Sequence, residues 1–372
     1  MEIPFYYGKI VGGKDFTDRE NDITHLHNNL AGHINTALIS PRRWGKTSLV
    51  EHVLADFSEE EFLVIKFDAL AAKDEDTFYH NYLTAINASA KLGRGILELL
   101  PIVHPKLIVR TGVVDCELDF TFDHKKDAPS IAEILDLPQK IAEKTGKHIL
   151  VCIDEFQNIG EYDDTLSFQR TLRTFWQRQP DVTYCLYGSK FNMMTSIFAD
   201  PRMPFYKFGD MFYLKKIDTS HWVEFIASRF SETGKLIGKQ DAELIARLCE
   251  NHPYYVQQLS QLTWFRTVKK CSRHIVEEAF KGLLAQLEMQ FILTASGLQK
   301  TQTEYLRALC DNMKNMSATS TLASYKIGTS ANVKNIRKTL EKKELITIFP
   351  ETEEFQDPIF KYWLKNVYFK SN

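Results

Sequence analysis

The feature that most constrains the fold is a regular alternation of short apolar runs with longer helix-like segments. Five runs rich in β-branched and aromatic residues have the pattern of strands: HINTALIS (33–40), EFLVIKFD (61–68), HILVCIDE (148–155), VTYCLYGS (182–189) and MFYLKKI (211–217). Helix-like segments alternate with them at 46–57, 77–92, 131–145, 166–178 and 221–231. Strands that alternate with helices predict a parallel α/β sheet with helices on both faces.

The pattern changes after Gly238. Three helical segments then follow one another without a strand, and from about Lys300 the order becomes helix, helix, turn, helix and short β-ribbon. The first group predicts a helical subdomain, and the second has the order of a winged helix-turn-helix. With 372 residues the chain is long enough for more than one core. We therefore predict an α/β domain at 1–235, a helical lid at 236–298 and a winged helix at 299–372.

A separate segment precedes the third strand. Residues 105–123 have the pattern of a hairpin around Thr111–Gly112, and the sequence assigns it no role.

A phosphate-binding loop follows the first predicted strand. The stretch SPRRWGKTSLVEHVL (40–54) contains Gly45, Lys46 and Thr47, followed directly by a helix. Backbone N–H groups of such a loop and of the helix N-terminus form an anion site, and the lysine can reach the β and γ phosphates. The loop therefore predicts nucleotide binding by Lys46.

Acidic and hydroxyl residues end two later strands. Asp154 and Glu155 follow ILVCI, and Ser189 ends the next strand. In P-loop NTPases an aspartate at this position and the loop hydroxyl bind Mg²⁺, so we expect Thr47 and Asp154 to be the metal ligands. Glu155 is expected to activate the attacking water. Ser189 is expected either to sense the γ-phosphate or to form a simple turn into a helix.

These residues resemble a known group, the archaeal-type ATPases related to AAA+ and STAND proteins. The matching segments are FTDRENDITHL (16–26), PRRWGKTSL (41–49), IDEFQNI (153–159), YGS (187–189), HPYYVQQL (252–259) and DPIFKYWL (357–364). The resemblance implies an ASCE-type P-loop sheet, a helical lid and a C-terminal winged helix. It also implies that ATP or ADP binds with Mg²⁺ and that ATP is hydrolysed.

The resemblance implies further nucleotide contacts. They come from the loop residues Pro41, Arg42, Arg43, Trp44, Gly45, Lys46, Thr47 and Ser48. Phe16, Arg19 and Glu20 become candidates for the base side, although a capping cluster that starts a helix at Thr17 or Asp18 explains them equally well. His252 resembles a lid residue that faces the phosphates, with Asn251 as the helix N-cap; a structural histidine is the alternative.

Two departures from the family pattern concern the rate of hydrolysis. Ser40 stands where the loop normally has its first glycine, at an expected cost of about 1 kcal/mol. In MPFYKFGD (203–210), Lys207 and Phe208 take the place of an arginine that can act as an arginine finger, and Arg202 is a candidate substitute. An arginine finger can accelerate hydrolysis by about 10³- to 10⁵-fold, so we expect slow hydrolysis and a nucleotide switch. The alternative is a regulator that holds nucleotide without turnover.

The C-terminal unit is the expected interaction module. Val333, Ile336 and Leu340 share one face of a predicted helix, and Lys334, Arg337 and Lys338 are expected to face outward. Between residues 326 and 343 there are six basic residues and one acid, a local charge that suits DNA phosphates. The acidic hairpin FPETEEFQ would be repelled by phosphates and favours a protein partner instead; a purely structural role is the third alternative, and all three remain open.

Bulk properties exclude several other classes. The net charge of −2 gives no overall attraction to nucleic acid, and the N-terminus lacks the pattern of a secretory signal. No stretch approaches the ~18 apolar residues of a membrane span. Six scattered cysteines without a CxxC pair suit reduced thiols better than zinc or disulfides. These properties predict a cytoplasmic protein with no membrane contact and with an oligomeric state that the sequence does not fix.

Overall fold

A computed structural model describes residues 3–13, 16–89, 106–107, 118–119, 129–349 and 351–371. The chain forms two compact units. One comprises Met1–Glu20, Pro41–Ser48 and Lys215–Asn372, and the other comprises Asn21–Ser40 and Leu49–Leu214. Among the helices within the described ranges, none has the length and apolar character that crossing a membrane requires.

The second unit is built on a five-stranded parallel sheet in the order β2-β5-β6-β1-β7. Its strands are β1 (Thr36–Ile39), β2 (Phe62–Asp68), β5 (His148–Asp154), β6 (Val182–Gly188) and β7 (Asp210–Tyr213). All five predicted strands are therefore confirmed, most of them shortened by one to four residues. The predicted hairpin at 105–123 contributes an antiparallel pair, β3 (Lys106–Leu107) with β4 (Leu118–Asp119), while its turn at 111–112 lies outside the described residues.

Both faces of the central strand β5 are buried, as predicted. Ile149, Val151 and Ile153 of β5 belong to one core cluster, and the residues between them, Leu150 and Cys152, are also fully buried on the opposite face. The helices that alternate with the strands are α1 (Glu20–Ala31), α2 (Lys46–Leu54), α3 (Glu75–Ser89), α4 (Ile131–Thr145), α5 (Thr165–Trp176) and α6 (Phe191–Ala199). A strand buried on both faces explains why HILVCI is apolar without alternation.

Local signals fix the ends of α4. Ser130 caps its N-terminus and forms a capping box with Glu133, while Gly146 ends it in the left-handed conformation at φ +70°. By contrast, α1 begins at Glu20 and not at Thr17 or Asp18, because Asp18 and Arg19 have positive φ values of 53° and 93° that no helix can contain.

The first unit is mainly helical. Its helices are α7 (Thr219–Glu232), α8 (Lys239–Leu248), α9 (Pro253–Arg266), α10 (Arg273–Ser296), α11 (Lys300–Cys310), α12 (Thr319–Ser324), α13 (Ser330–Lys342) and α14 (Pro358–Trp363), the last extended by a π turn at Leu364–Tyr368 and by Phe369–Ser371. One hydrophobic cluster extends from Phe5 through these helices to Leu364. The proposed domain boundaries at 235/236 and 298/299 stay predictions.

The C-terminal elements follow the predicted order. The helices α11, α12 and α13 lead into an antiparallel hairpin of β8 (Ile346–Ile348) and β9 (Glu353–Phe355). Val333, Ile336 and Leu340 are all buried on α13, which confirms the predicted apolar face. Five of the six cysteines lie in described segments, and all five are buried and reduced, whereas Cys116 lies outside them.

Candidate nucleotide site

The phosphate loop joins β1 to α2. The strand ends at Ile39, and the helix begins at Lys46, so residues 40–45 form the connection. Arg43 and Gly45 adopt positive φ values of 63° and 95°, which give the loop its tight path. Ser40 is not among the residues with positive φ; it is fully buried, and its N–H donates to the carbonyl of Gly188 at 3.2 Å. The expected cost of serine at this position is therefore wrong, because the left-handed conformation falls on Arg43.

The first turn of α2 presents the predicted binding residues. Lys46 is the first residue of the helix and is only 9% exposed. Ser48 is also buried, and its hydroxyl accepts a hydrogen bond from the Val11 N–H at 3.2 Å. The N-terminal segment is thus attached directly to the helix that follows the loop.

A cavity of about 480 Å³ lies within the first unit, against this loop. Arg43, Trp44, Gly45, Lys46, Thr47 and Ser48 all contribute to its wall. The remaining wall is rich in aromatic side chains, namely Tyr6, Tyr7, Phe16, Trp222 and Tyr254. A wall that combines loop donors with aromatic rings suits a ligand that joins phosphates to a flat base, and the volume lies within the usual range of small-molecule sites.

Arg19 also lines the cavity, but its guanidinium is occupied. It is 5% exposed and donates to the carbonyls of Lys215 at 2.5 Å and of Trp44 at 3.1 Å. These bonds fix the loop residue Trp44 relative to the N-terminal segment. Phe16, named with Arg19 as a base-side candidate, lines the same cavity, whereas Glu20 does not.

Tyr254 lines the cavity and contacts the loop residue Arg43, and sequence reasoning missed it. The guanidinium of Arg43 lies 4.7 Å from the centre of its ring, close enough for a cation–π interaction. Tyr254 belongs to the HPYYVQQL segment, in which the family resemblance pointed only to the histidine. Its position on the first turn of α9, next to Pro253, was the available signal.

His252 is buried beside the phosphate loop, in hydrogen-bond contact with the backbone of Arg42. It is 4% exposed, it is the N-cap of α9 in place of Asn251, and it is not part of the cavity wall. Asn251 has a φ of +59° and exchanges hydrogen bonds with Thr219. Burial, together with the positive charges of Lys216 and Arg43, lowers the pKa of His252 to about 3. A neutral, buried imidazole does not offer a positive charge to phosphates.

Arg42 also points to a different partner. Its guanidinium forms an ion pair with Glu344, which follows α13, and neither Arg42 nor Pro41 lines the cavity. Among the eight loop residues named as nucleotide contacts, the structure therefore brings six to the cavity wall.

The acidic residues belong to the second unit, at the end of β5. Asp154 is the last residue of the strand, and one of its oxygens accepts the N–H of Glu155 at 2.7 Å. Glu155 has a φ of +49°, a conformation that is rare for a glutamate and that turns the chain sharply out of the strand. Backbone strain of this kind is concentrated at functional sites.

Two donors hold the Glu155 carboxylate. The Ser189 hydroxyl donates to Oε2 at 2.7 Å, and the Gln157 amide donates to the same oxygen at 2.6 Å. Gln157 was missed by sequence reasoning, although it lies within the quoted IDEFQNI segment. Gly188 is needed beside it, because a Cβ there would lie 1.9 Å from Gln157 Oε1 and 2.8 Å from Met194 Sδ.

No arginine lies among residues 203–210, all of which the structure describes. Lys207 is exposed in a left-handed conformation at φ +53°, and Phe208 is buried against Trp176, Tyr184 and Phe205. Arg202 has an 88% exposed side chain and pairs with Asp200 at 2.7 Å.

Comparison with known proteins decides the family. The model of an ATPase domain found predominantly in Archaea matches residues 16–259, which is more than half of the chain. The chain belongs to this ATPase family. No protein with curated function matches it in sequence.

Solved structures share the fold of this ATPase. A Walker-type ATPase of Pyrococcus abyssi is 17% identical with a TM-score of 0.66, over 94% of this chain and 96% of that chain. The ORC2 protein of Aeropyrum pernix, in ADPNP–ADP complexes, is 14% identical with a TM-score of 0.56, over 93% and 91% of the two chains. These likenesses confirm a P-loop ATPase fold, and family membership confirms the expectation of a nucleotide-binding ATPase.

The predicted nucleic-acid face of the ATPase is smaller than expected. Lys334 and Lys338 are exposed on α13, but Arg337 forms an ion pair with the Glu353 carboxylate of β9. Glu353 also accepts a hydrogen bond from the Tyr305 hydroxyl at 2.5 Å. Arg337 is therefore paired with the acidic hairpin, while 38% of its side chain stays exposed.

The buried state of His252 predicts a pH dependence of stability. Its folded pKa of about 3 lies below the ordinary value of 6.5, so the unfolded chain binds a proton that the folded chain does not. This contribution is fully present above pH 6.5 and is lost as the pH falls toward 3. Between pH 6 and 4, the unfolding free energy of wild type should fall by up to about 1.4 kcal/mol per pH unit more than that of His252→Gln.

Denaturant unfolding at several pH values measures this difference. His274→Gln removes an exposed histidine from α10 and should keep the wild-type slope. Equal slopes for wild type and His252→Gln would show that His252 is not held neutral.

Proposed function

We propose that the ATPase binds ATP with Mg²⁺ at the phosphate loop and hydrolyses it slowly, as a nucleotide switch. The observation that carries this proposal is the cavity whose wall combines Lys46, Thr47 and the loop backbone with aromatic rings. Lys46 binds the phosphates, the N–H groups around Gly45 cradle them, and the rings of Phe16 and Tyr254 contact the base.

Thr47 and Asp154 are the proposed ligands of a magnesium ion. Mg²⁺ takes oxygen ligands and in nucleotide sites is held by one or two protein groups together with phosphates and waters. The Thr47 hydroxyl and the Asp154 carboxylate are such groups. When bound, the ion would neutralise charge on the phosphates during transfer.

Glu155 is the proposed catalytic residue that accepts a proton from the attacking water. Its carboxylate is oriented by Ser189 and Gln157, whose donors both bond to Oε2. We propose that Ser189 acts through Glu155, so that a phosphate that attracts the Ser189 hydroxyl changes the orientation of the base. This relay gives the predicted sensing role of Ser189 a physical basis.

Slow turnover is expected because neither candidate cation near residues 203–210 is positioned to act as an arginine finger. Lys207 is exposed, and Arg202 is bound by Asp200, so neither is prearranged to stabilise the transition state. A long-lived ATP state favours a switch that alternates between two nucleotide-bound forms.

Single-turnover hydrolysis tests the site. Wild type should convert bound ATP to ADP, Glu155→Gln should retain ATP with a rate roughly 10²- to 10⁴-fold lower, and Lys46→Ala should bind ATP roughly 10- to 100-fold more weakly. Glu161→Gln, an exposed acid in the same segment, is the matched control and should behave as wild type. Unchanged ATP in wild type over hours would instead identify a regulator that holds nucleotide without turnover.

Gly188→Ala tests the proposed role of Gln157. The added methyl group would displace the Gln157 amide from Glu155 and lower the hydrolysis rate roughly 10- to 100-fold while ATP affinity stays within about twofold. Gly160→Ala, whose methyl group meets only ordinary contacts at 3.7 and 3.8 Å, serves as the control. Thermal unfolding of both variants separates a local displacement from a loss of folding, and an unchanged rate in folded Gly188→Ala would exclude this positioning.

We also propose that the C-terminal elements form a winged helix that contacts DNA through Lys334 and Lys338. Both side chains are exposed on one helix, and phosphate contact is what exposed basic residues of this kind provide. Because Arg337 is held by Glu353, we leave it out of the proposed contact set.

A duplex-binding titration at about 50 mM salt tests this role. Lys334→Glu with Lys338→Glu should abolish binding, while Lys314→Glu, an exposed lysine outside α13, should preserve it. A salt slope that corresponds to about two phosphate contacts is expected, and absence of binding by wild type would favour a protein partner.

A further inference from the structure

Acidic side chains of the C-terminal segment meet basic side chains at the phosphate loop. Arg42 of the loop pairs with Glu344, and Lys216 pairs with Glu354 at 2.8 Å. All four residues belong to the first unit. The acids follow α13 and lie on β9, so two successive elements of the C-terminal segment reach the same region.

The second ion pair is connected to the loop through an aromatic ring. The ammonium group of Lys216 lies 5.5 Å from the ring centre of Trp44, within reach of a cation–π interaction. Trp44 is itself fixed by the Arg19 bond to its carbonyl. The acid Glu354 therefore orients a cation that packs on a loop side chain.

A third connection runs through α9. Arg43 lies over Tyr254, and the hydroxyl of the adjacent Tyr255 donates to Asp357. Asp357 caps α14 by accepting the N–H groups of Ile359 and Phe360, both at 2.9 Å. The end of the C-terminal segment is thus tied to the helix that carries a cavity wall residue.

The ion pairs lie outside the cavity wall. Arg43 and Trp44 line the cavity, but Arg42, Lys216, Glu344 and Glu354 do not. A nucleotide in the cavity therefore need not displace either pair. The acids neutralise cations behind the loop and restrict its conformations, which is a preorganising effect and not competition with phosphate.

We propose that Glu344 and Glu354 are positioning residues for nucleotide binding, through which the C-terminal segment holds the phosphate loop in its binding conformation. This inference rests on the proposed role of the loop in phosphate binding. By thermodynamic reciprocity, nucleotide binding must then strengthen the attachment of the C-terminal segment. A partner that draws this segment away from the loop weakens nucleotide binding and promotes exchange.

The side chains in these pairs are partly exposed, from 30% for Lys216 to 57% for Arg42, so each link is weak and reversible. Loss of one exposed ion pair changes an equilibrium by about 1.5- to 5-fold. Such a magnitude suits a regulated contact, because a partner can break it.

The first experiment measures affinity and dissociation rate for a fluorescent ADP analogue with Mg²⁺ on the full chain. Glu344→Gln and Glu354→Gln should each raise Kd about 1.5- to 5-fold, mainly through faster dissociation. The swap Arg42→Glu with Glu344→Arg should restore most of the affinity that Arg42→Glu alone loses. Glu351→Gln removes an exposed acid from the same hairpin and should leave Kd unchanged.

The second measurement is hydrogen exchange of residues 330–371 with and without ADP. Wild type should gain protection in this segment on binding ADP, and Glu344→Gln with Glu354→Gln should gain less, a difference that a purely structural effect of the acids would not produce. Wild-type Kd in folded glutamine variants, or no gain of protection in wild type, would overturn the inference. Normal ADP binding by Lys46→Ala would show that the proposed function of the loop is wrong. Loss of ADP binding in Lys46→Ala together with wild-type binding in the Glu344→Gln and Glu354→Gln variants would show that only the positioning role is wrong.

Discussion

The parallel register of three neighbouring strands is the constraint on which the proposed active site depends. β1 pairs with β6 so that Ile39 lies opposite Gly188, and β5 pairs with β6 so that Ile153 lies opposite Leu186. Because parallel strands end at the same edge, this register places the carboxyl ends of β1, β5 and β6 side by side. The bond from the Ser40 N–H to the Gly188 carbonyl continues the pairing one residue beyond β1. A shift of one residue would turn Asp154 to the other face of the sheet.

At that edge, the backbone adopts a conformation that residues other than glycine usually avoid. Glu155 is left-handed directly after β5, and Gly188 leaves room for Gln157 at the end of β6. The two features meet at one carboxylate, since Gln157 and Ser189 both donate to Glu155 Oε2. The strain is tolerated because β5 and β6 are buried and hydrogen-bonded along their lengths.

The strands and most helices were predictable because they depend on local patterns. A buried strand such as HILVCI is apolar throughout, and Ser130 and Gly146 mark the ends of α4. The loop and the acids were predictable for the same reason, since each is a short motif at the end of a strand. The cavity wall was only partly predictable. Tyr7 and Trp222 are more than 200 residues apart in sequence, and nothing local marks them as neighbours.

The sequence did not indicate the distant partners that several charged residues have in the structure. Arg42, Arg337 and His252 each belong to a segment that suggested a ligand contact; in the structure Arg42 pairs with Glu344, Arg337 pairs with Glu353, and His252 is buried. A helical pattern gives the face on which a side chain lies and says nothing about the charge that meets it there. The expected cost at Ser40 is absent for a local reason, since the left-handed residues of the loop are Arg43 and Gly45.

The basic partners Arg337 and Lys216 explain why the C-terminal hairpin is acidic. In the sequence they argue against DNA, because an acidic wing would be repelled by phosphates. In the structure, Glu353 and Glu354 face Arg337 and Lys216, so their charges are balanced within the first unit. The hairpin therefore neither requires an external cation nor projects its full charge toward a ligand. On the proposed function, Glu344 and Glu354 would couple the C-terminal segment to the phosphate loop while Lys334 and Lys338 contact a partner. One short segment would then connect nucleotide binding to recognition without any change in the sheet.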